Sequence, residues 1–457
     1  MKASPRTVRD LIEDISSETE GSSELKLHEQ YGSVYTLYFG SAPNIVICGY
    51  EAVKEALVDQ NDDFGARGEL PVGEITKGYG ISMSNGERWR IMRTFTFKTL
   101  RDFGFGNMEW KIQEEVRCVV QELRKCQGRP LNPSKHVMQA FSNILCSILF
   151  GDRYDYSDAK FSKLLYIVKE IFWLASSPCC QVHSILPTLM NCIPGPHHKV
   201  ITLSEELAEF VTKIVKSCQQ TLEPSKPRHF VDCFLIKIEK EKNDPNTEFT
   251  RKNLMCIVHN LFLAGIETLS CTLRHALLIF LKYPEIEAKL HEEIDRVVGR
   301  DRIPNMDDKL KMPYTQAVIH EVQRFCDIAP FNVPHMTTKD TLFRGYSIPK
   351  GTNVYFLLCT VHRDPTQFAT PYKFNPNHFL DDNGKFKKND ANMPFSAGKR
   401  TCPGQGVARM ELFIFLTTIL QNFKLTSNRE FSEDDLAPKF TGFLNTPIQY
   451  ELSFIPR

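Results

Sequence analysis

The chain carries almost no net charge. Lys and Arg together number 56 and Asp and Glu number 55, which leaves a formal charge of +1 over 457 residues. A chain with this balance has no overall positive field to attract nucleic acid, so nucleic-acid binding is not expected. Apolar residues make up 42% and charged residues 24% of the sequence, which is typical of a folded globular protein and excludes a disordered one.

The cysteines lack any pairing pattern. There are 14, with no C-x-x-C pair and no zinc-ribbon spacing. Cys179 and Cys180 are adjacent and poorly placed to bridge each other. A disulfide scaffold is therefore excluded and a reducing compartment is expected. A thiol with a special function must then be recognised by its neighbours.

The sequence also lacks a secretory segment, an uninterrupted apolar run and a nucleotide loop. Residues 1–30 are polar, and we expect them to be irregular and to contain no signal peptide or spanning helix. No G-x-G-x-x-G follows a strand, so the sequence carries no Rossmann-type dinucleotide loop. Internal repeats, heptads and low-complexity stretches are absent as well.

The apolar spacing predicts a mainly α fold with a small β part. Helical periodicity dominates residues 87–300, and the longest predicted helix, Arg251–Tyr283, is apolar nearly all round its centre, which is typical of a helix crossing a large core. Short strands are predicted in the β-rich portions, about 31–50 and 330–375, over Ser33–Phe39, Asn44–Cys48, Leu342–Ile348 and Asn353–Leu358. Without a flexible linker, residues 31–457 are expected to form one domain.

The strongest local signal is the loop F-S-A-G-K-R-T-C-P-G, which ends just before a predicted helix. Its Cys402 is placed where thiolates are favoured, because the N–H groups and dipole of a helix N-terminus attract negative charge. Pro403 suits the first helical position, where its missing N–H is not needed. Gly398 and Gly404 would let the backbone approach a flat ligand, and Arg400 could pair with an acid group on it.

This loop matches the haem-binding signature of cytochrome P450, F-x-x-G-x-R-x-C-x-G, at each fixed position, from Phe395 to Gly404. The chain therefore resembles that family over residues 30–457, most closely the vertebrate microsomal family 2. The resemblance implies a haem b whose iron is ligated by Cys402, held between the long central helix and the Cys-bearing loop. It also makes Phe395, Arg400 and Gly404 cofactor-binding residues.

The long helix carries a second family motif, Ala264-Gly265-Ile266-Glu267-Thr268, which resembles the oxygen-activation sequence A/G-G-x-D/E-T. The resemblance makes Ala264, Gly265, Glu267 and Thr268 catalytic. The two small residues would leave room for O2. The Thr268 hydroxyl can bond back to the carbonyl of Ala264 and act on O2 or on an ordered water. Glu267 is a charged residue in an apolar stretch, which is costly unless it is used or solvated.

Further motifs supply residues around the cofactor. Trp89 and Arg93 match W-x-x-x-R and lie one helical turn apart, while Arg67 and His335 stand where the microsomal branch binds haem propionates. A second set is expected to be structural: Glu321 and Arg324 match E-x-x-R, and His378 stands in F-x-P-x-x-F where many members have Arg.

The substrate pocket is inferred by resemblance and is mostly apolar. Such pockets bind hydrophobic small molecules with few fixed polar contacts, which fits a xenobiotic, a steroid or a fatty acid without distinguishing among them. The lining residues implied are Phe172, Leu263, Ile328, Phe331, Phe443 and Leu444.

The resemblance implies a monooxygenase that inserts one atom of O2 into a lipophilic substrate. The electrons would come from NADPH through NADPH–cytochrome P450 reductase, with cytochrome b5 as a second donor. The apolar loop Ile185–Ile193 and the family likeness place the protein at the cytosolic face of the endoplasmic reticulum, with the usual N-terminal anchor missing. Two alternatives stay open: a haem-thiolate isomerase or peroxygenase, and a non-catalytic haem- or lipid-binding protein.

Overall fold

Helices dominate the computed structural model, which describes residues 23–39, 42–68, 76–102, 105–185, 190, 192–437, 439–440 and 444–457. The helices in chain order are α1 Ser23–Tyr31, α2 Tyr50–Lys54 with a π-turn over Glu55–Asp59, α3 Gly86–Asp102, α4 Phe105–Lys125, α5 Ser134–Leu149, α6 Ala159–Ala175, α7 Pro178–Ile185, α8 Pro196–Gln220, α9 Phe230–Lys240, α10 Arg251–Lys282, α11 Pro284–Val297, α12 Met306–Lys309, α13 Pro313–Cys326, α14 Leu358–His362, α15 Gln405–Asn422 and α16 Glu433–Leu436.

The long helix α10 crosses the main apolar core. It begins where the Thr250 side chain accepts the N–H of Asn253, and it ends at the proline that opens α11. Its length and composition meet those of a membrane-spanning helix, but 67% of its most apolar window is buried within the protein. Helices α5, α8 and α13 pack around it, and Phe262 stacks on Phe150 of the segment after α5. Helix α10 therefore lies at the centre of the main apolar core.

A five-stranded sheet lies beside this helical core. Its strands are β1 Val34–Phe39, β2 Ala42–Cys48, β3 Ala66–Arg67, β4 His335–Met336 and β7 Asn353–Leu357, in the order β1-β2-β7-β4-β3. Only the β2–β7 pair is parallel, and the register sets Arg67 opposite His335. The shorter pairs are β5 Thr341–Phe343 with β6 Tyr346–Ile348, β8 Phe423–Thr426 with β11 Ser453–Pro456, and β9 Lys439–Phe440 with β10 Asn445–Thr446.

The predicted fold class, mainly α with a small β part, is confirmed. Three local predictions are wrong. Residues 23–31 form a helix where irregular chain was expected, and the predicted strand Leu342–Ile348 is a hairpin, because Arg344 and Gly345 both have positive φ and turn the chain in two residues. The apolar spacing predicts a helix over Leu203–Gln220, but helix α8 starts seven residues earlier, because Pro196 is suited to open a helix.

Candidate functional site

The loop around Cys402 is fixed by its own backbone. The N–H of Cys402 and the hydroxyl of Thr401 both donate to the carbonyl of Phe395, at 2.9 and 3.2 Å. Helix α15 starts at Gln405, whose N–H donates to the carbonyl of Cys402 at 3.4 Å. The predicted start at Pro403 is therefore wrong, because Gly404 is the N-cap and Pro403 lies before it. The cysteine nevertheless stands at the entry to the helix.

Opposing effects act on the pKa of the Cys402 thiol. Burial raises its pKa, while the N–H groups of Gly404 and Gln405 and the nearby Arg93 guanidinium lower it. The two N–H groups and the guanidinium all favour the negatively charged sulfur that a thiolate ligand requires. Gly404 lies against the sulfur, since a Cβ at this position would be 3.9 Å from Sγ.

Gly398 serves a different purpose from the one predicted. Its φ is +70°, and a Cβ there would come within 1.7 Å of the carbonyl oxygen of Leu57. The close approach is therefore to the π-turn that follows α2, and not to a ligand. The lack of a side chain at Gly398 lets the Cys402 loop pack closely against this π-turn.

Four buried nitrogen atoms have no partner and lie in the segments around this loop. They are Nε of Arg67, Nε1 of Trp89, Nε2 of His335 and Nη1 of Arg400. We call these four residues the donor cradle. A buried polar group left unsatisfied costs about 1–3 kcal/mol, so the three N–H donors, on Arg67, Trp89 and Arg400, indicate an acceptor that binds there. The sequence predicted all four as cofactor-binding residues.

Backbone and aromatic contacts hold the donor cradle in place. Arg400 donates to the carbonyls of Gly65 and Ser84 and lies 3.8 Å above the centroid of the Trp89 ring. Arg67 donates to the carbonyl of Val333 at 2.8 Å. The Nδ1 atom of His335 lies 2.7 Å from the carbonyl of Phe64, and since a carbonyl only accepts, Nδ1 carries the proton. Nε2 of His335 is then an acceptor when the ring is neutral and a donor when it is charged.

The charge of the cradle is uncompensated. Burial lowers the pKa of Arg67 to about 9, with a contribution from Arg93, and burial together with Arg67 and Arg93 lowers the pKa of Arg400 to about 8. Among the residues that the structure describes, none of the three arginines has an acidic partner. The geometry therefore fits a ligand with carboxylate groups. Arg93 itself donates to the carbonyl of Thr401, so one of its donors is already used.

Asn85 is a member of this site that the sequence did not reveal. Its Oδ1 accepts from the Arg67 backbone N–H at 2.7 Å and from Nη2 of Arg400 at 2.9 Å, and its Nδ2 donates to the carbonyl of Arg67. It therefore orients both guanidinium-bearing segments. Its position immediately before α3, where asparagine commonly caps a helix, was the available signal.

Ala264 and Thr268 present the open face of α10. The Thr268 hydroxyl donates to the Ala264 carbonyl at 2.7 Å, the bond expected from the sequence, and Ala264 is exposed although Leu263 and Ile266 beside it are buried. Gly265 faces another way, because a Cβ there would contact Leu145 of α5 at 3.5 Å. The Glu267 carboxylate accepts from the Cys271 thiol at 3.3 Å and lies 3.8 Å from Arg274.

The three residues predicted to be structural are brought together. Arg324 donates twice to Glu321 at 2.7 Å, and both side chains are fully buried. The remaining donors of Arg324 bind the carbonyls of His362, Pro371 and Lys373. The N–H of Thr370 donates to Nε2 of His378, so Nδ1 carries the proton that His378 offers to Glu321 at 3.2 Å.

The predicted pocket residues are placed less uniformly. Leu263 is buried in the main core, and Phe172 and Ile328 pack against that core. The carbonyl of Ile328 accepts the N–H of Asn445 at 2.9 Å, which brings the neighbouring Leu444 close. Phe331 instead packs in a separate apolar cluster beside β1 and β2. Phe443 lies outside the described residues.

Known proteins share these features. The family model named Cytochrome P450 matches residues 16–454. This chain belongs to the cytochrome P450 family. It is 50% identical to cytochrome P450 2G1 of Rattus norvegicus over 95% of this chain and 89% of the relative, and 46% identical to cytochrome P450 2A6 of Homo sapiens over 97% and 90%. Cytochrome P450 2C23 of Rattus norvegicus is 48% identical over 94% and 88%.

Membership explains the donor cradle and the isolated thiol together. The chain is a P450 monooxygenase of the vertebrate family 2 type and takes a Cys-ligated haem b. The residues present fit that group, because haem b carries two carboxylates and its iron would take a thiolate from the protein, and the structure offers unsatisfied buried donors beside a cysteine-bearing loop.

Proposed function

We propose that Cys402 ligates the haem iron and that the chain inserts one atom of O2 into a lipophilic small molecule, using electrons from NADPH delivered by NADPH–cytochrome P450 reductase. The observation that carries this proposal is the donor cradle, whose unsatisfied N–H groups lie in the segments around Cys402 and would donate to the carboxylates of haem. When bound, the haem supplies the redox chemistry, in which one oxygen atom of O2 enters the substrate and the other leaves as water.

The chain's own residues orient the cofactor and move protons. Arg67, Trp89 and Arg400 would donate to the haem carboxylates, and the N–H groups beside Cys402 favour the negative form of its sulfur against the effect of burial. On α10 the Thr268 proton is donated to Ala264, so the lone pairs of the hydroxyl are free to accept from a water. Burial raises the pKa of the neighbouring Glu267 and its Oε2 has no partner, so this carboxyl group is proposed to exchange protons with such a water.

The proposed substrate class rests on the pocket residues that the family resemblance implies. Leu263, Phe172, Ile328 and Leu444 provide apolar surface. In such a pocket, burial of apolar area contributes more to the binding free energy, at about 25 cal/mol per Å², than any fixed polar contact does. A lipophilic xenobiotic, steroid or fatty acid is therefore proposed as substrate, with O2 and with cytochrome b5 as an additional electron donor.

The membrane surface of the endoplasmic reticulum, at its cytosolic face, is the proposed location. Part of the predicted apolar loop Ile185–Ile193 lies outside the described residues, but Ile193 itself is 43% exposed. Trp173 on α6 and Ile201 on α8 are exposed as well, and their apolar side chains would bind the interfacial region of a bilayer. Co-flotation with phospholipid vesicles tests this, and substitution of Trp173 and Ile193 by Ser should weaken it.

The reduced CO difference spectrum tests the central proposal. A Soret band shifted far to the red indicates an iron with a thiolate ligand, and Cys402→Ala should abolish the band while Cys359→Ala should leave it. Persistence of the band in Cys402→Ala would refute Cys402 as the ligand. Turnover of a lipophilic panel with NADPH and reductase separates the monooxygenase from both alternatives: a peroxygenase would need only peroxide, and a carrier would give no product.

A further inference from the structure

A cluster of one thiol and three imidazoles lies where α7 meets α8, and none of its members belongs to the haem site. Cys179 and His183 are one turn apart on α7, while His197 and His198 open α8. The imidazole rings of His183 and His197 are stacked with centroids 4.9 Å apart, and those of His197 and His198 are 4.2 Å apart. The His197 ring is thus held on both faces.

The tautomer of His197 is set by its second nitrogen. Nε2 lies 2.9 Å from the carbonyl oxygen of Met190, and because a carbonyl only accepts, Nε2 carries the proton. Nδ1 then presents its lone pair to the Cys179 sulfur, 3.4 Å away, and the thiol donates to it. A nucleophile, its base and a group that orients the base are therefore present together.

The contact between thiol and ring depends on the residue before α8. A Cβ at Gly195 would lie 3.0 Å from the His197 ring and 3.1 Å from the Cys179 sulfur, closer than ordinary van der Waals contact to both. Gly195 thus leaves space for the pair. Cys179 is half-buried, and Ile193 and Ile201, on either side of the start of α8, expose apolar surface.

We propose that Cys179 is a nucleophilic site for lipophilic electrophiles of the α,β-unsaturated carbonyl class, with His197 as its base. The polarisable sulfur suits a soft carbon electrophile. A bond forms between Sγ and the β-carbon while the C=C π bond breaks. The thiol proton passes to Nδ1 of His197 and then to the α-carbon, so atoms and electrons balance without a further reagent. This site is independent of the monooxygenase function.

The test is competitive labelling of the haem-loaded protein with limiting N-ethylmaleimide at pH 7, followed by peptide mass spectrometry that resolves Cys179 from Cys180. Cys192 is the internal reference because its side chain is exposed. Cys179 should react at least about fivefold faster than Cys192 despite its lower exposure. His197→Asn, which keeps a polar partner but removes the base, should slow Cys179 at least about tenfold.

Two further variants separate base action from packing. His198→Asn alters the neighbouring ring, which contacts the carbonyl of Ile193 and not the thiol, and should change Cys179 labelling less than about twofold. Gly195→Ala should slow Cys179 without removing either partner. The proposal is overturned if the wild-type protein labels Cys192 or Cys180 as fast as Cys179, a comparison that needs no variant to fold, or if His197→Asn reacts at the wild-type rate.

Discussion

Replacing Trp89 by Phe tests the donor cradle at a single atom. The change removes the Nε1–H, which is buried and has no partner, and retains an aromatic ring beneath the Arg400 guanidinium. If Nε1 donates to a haem carboxylate, the loss is that of one hydrogen bond to a charged acceptor, about 1.5–3 kcal/mol. At 1.4 kcal/mol per factor of ten, haem should dissociate roughly 10- to 150-fold faster.

The same substitution should act in the opposite direction on the protein without haem. There Nε1 is an unsatisfied buried donor, so its removal relieves a penalty of about 1–3 kcal/mol. Trp89→Phe is therefore expected to leave the free energy of unfolding of the apo-protein unchanged or to raise it. A residue that merely packs the core would destabilise both forms, so the opposite signs identify the ligand-binding role.

Haem release is measured by transfer to excess apomyoglobin, followed in the Soret region, and the stability of the apo-protein by urea unfolding. Trp110→Phe is the matched control, because that tryptophan is 50% exposed and lies on α4, outside the cradle. Release at the wild-type rate from Trp89→Phe would refute the reasoning, since Nε1 would then have no acceptor in the loaded protein.

Three other substitutions test buried contacts, and the effect of each on stability is measured from the midpoint of urea unfolding. Arg324→Leu leaves Glu321 charged and fully buried, which should cost about 3–5 kcal/mol. Gly398→Ala drives a Cβ into the Leu57 carbonyl and should reduce both stability, by more than about 2 kcal/mol, and haem content. Burial raises the pKa of Glu287 to about 7 from 4.5, so the folded protein retains a proton that the unfolded chain releases, and stability falls as pH rises through that window. Glu287→Gln should remove this slope and add roughly 3 kcal/mol at pH 8 with little change at pH 4.5.

Each of these predictions has a contrasting measurement. Lys213→Leu breaks an exposed ion pair with Glu209 and should cost less than about 1 kcal/mol, and an equal loss in Arg324→Leu would contradict the burial argument. Gly384 has φ +71° and open space around it, so Gly384→Ala isolates backbone strain from the clash at Gly398. For Glu287→Gln, equal gains at the two pH values would show that ionisation is not the cause.

The sequence identified the side chains of the site more completely than their contacts. The family resemblance predicted Cys402 and all four residues of the donor cradle as cofactor-binding residues. It did not reveal that Arg400 and Arg67 are oriented by Asn85 or that Gly398 abuts Leu57. Those partners are far apart along the chain, and backbone carbonyls of any residue can serve as acceptors.

Helix α10 shows a second limit of prediction from the sequence. Periodicity placed Arg251–Lys282 in the core, and local geometry gave the Thr268–Ala264 bond, since both depend on residues within a few turns. The contacts of Glu267 with Cys271 and Arg274 lie on the same helix but could not be chosen in advance, because a buried carboxylate takes whichever donor the surrounding packing allows.

The clustered positive charge of the cofactor site links the stability of the folded protein to haem binding. The whole chain has a net charge of +1, yet burial and then repulsion from Arg93 lower the pKa of Arg67, and burial and then repulsion from Arg67 and Arg93 lower that of Arg400. Each is also desolvated, so the fold without an anion retains unfavourable electrostatic energy in this one region. A ligand with two carboxylates removes both penalties at once, and it binds the folded chain alone, because the unfolded chain does not gather these residues. Stability should therefore rise with haem loading, and substitutions in the donor cradle should diminish that increment more than they change the apo-protein.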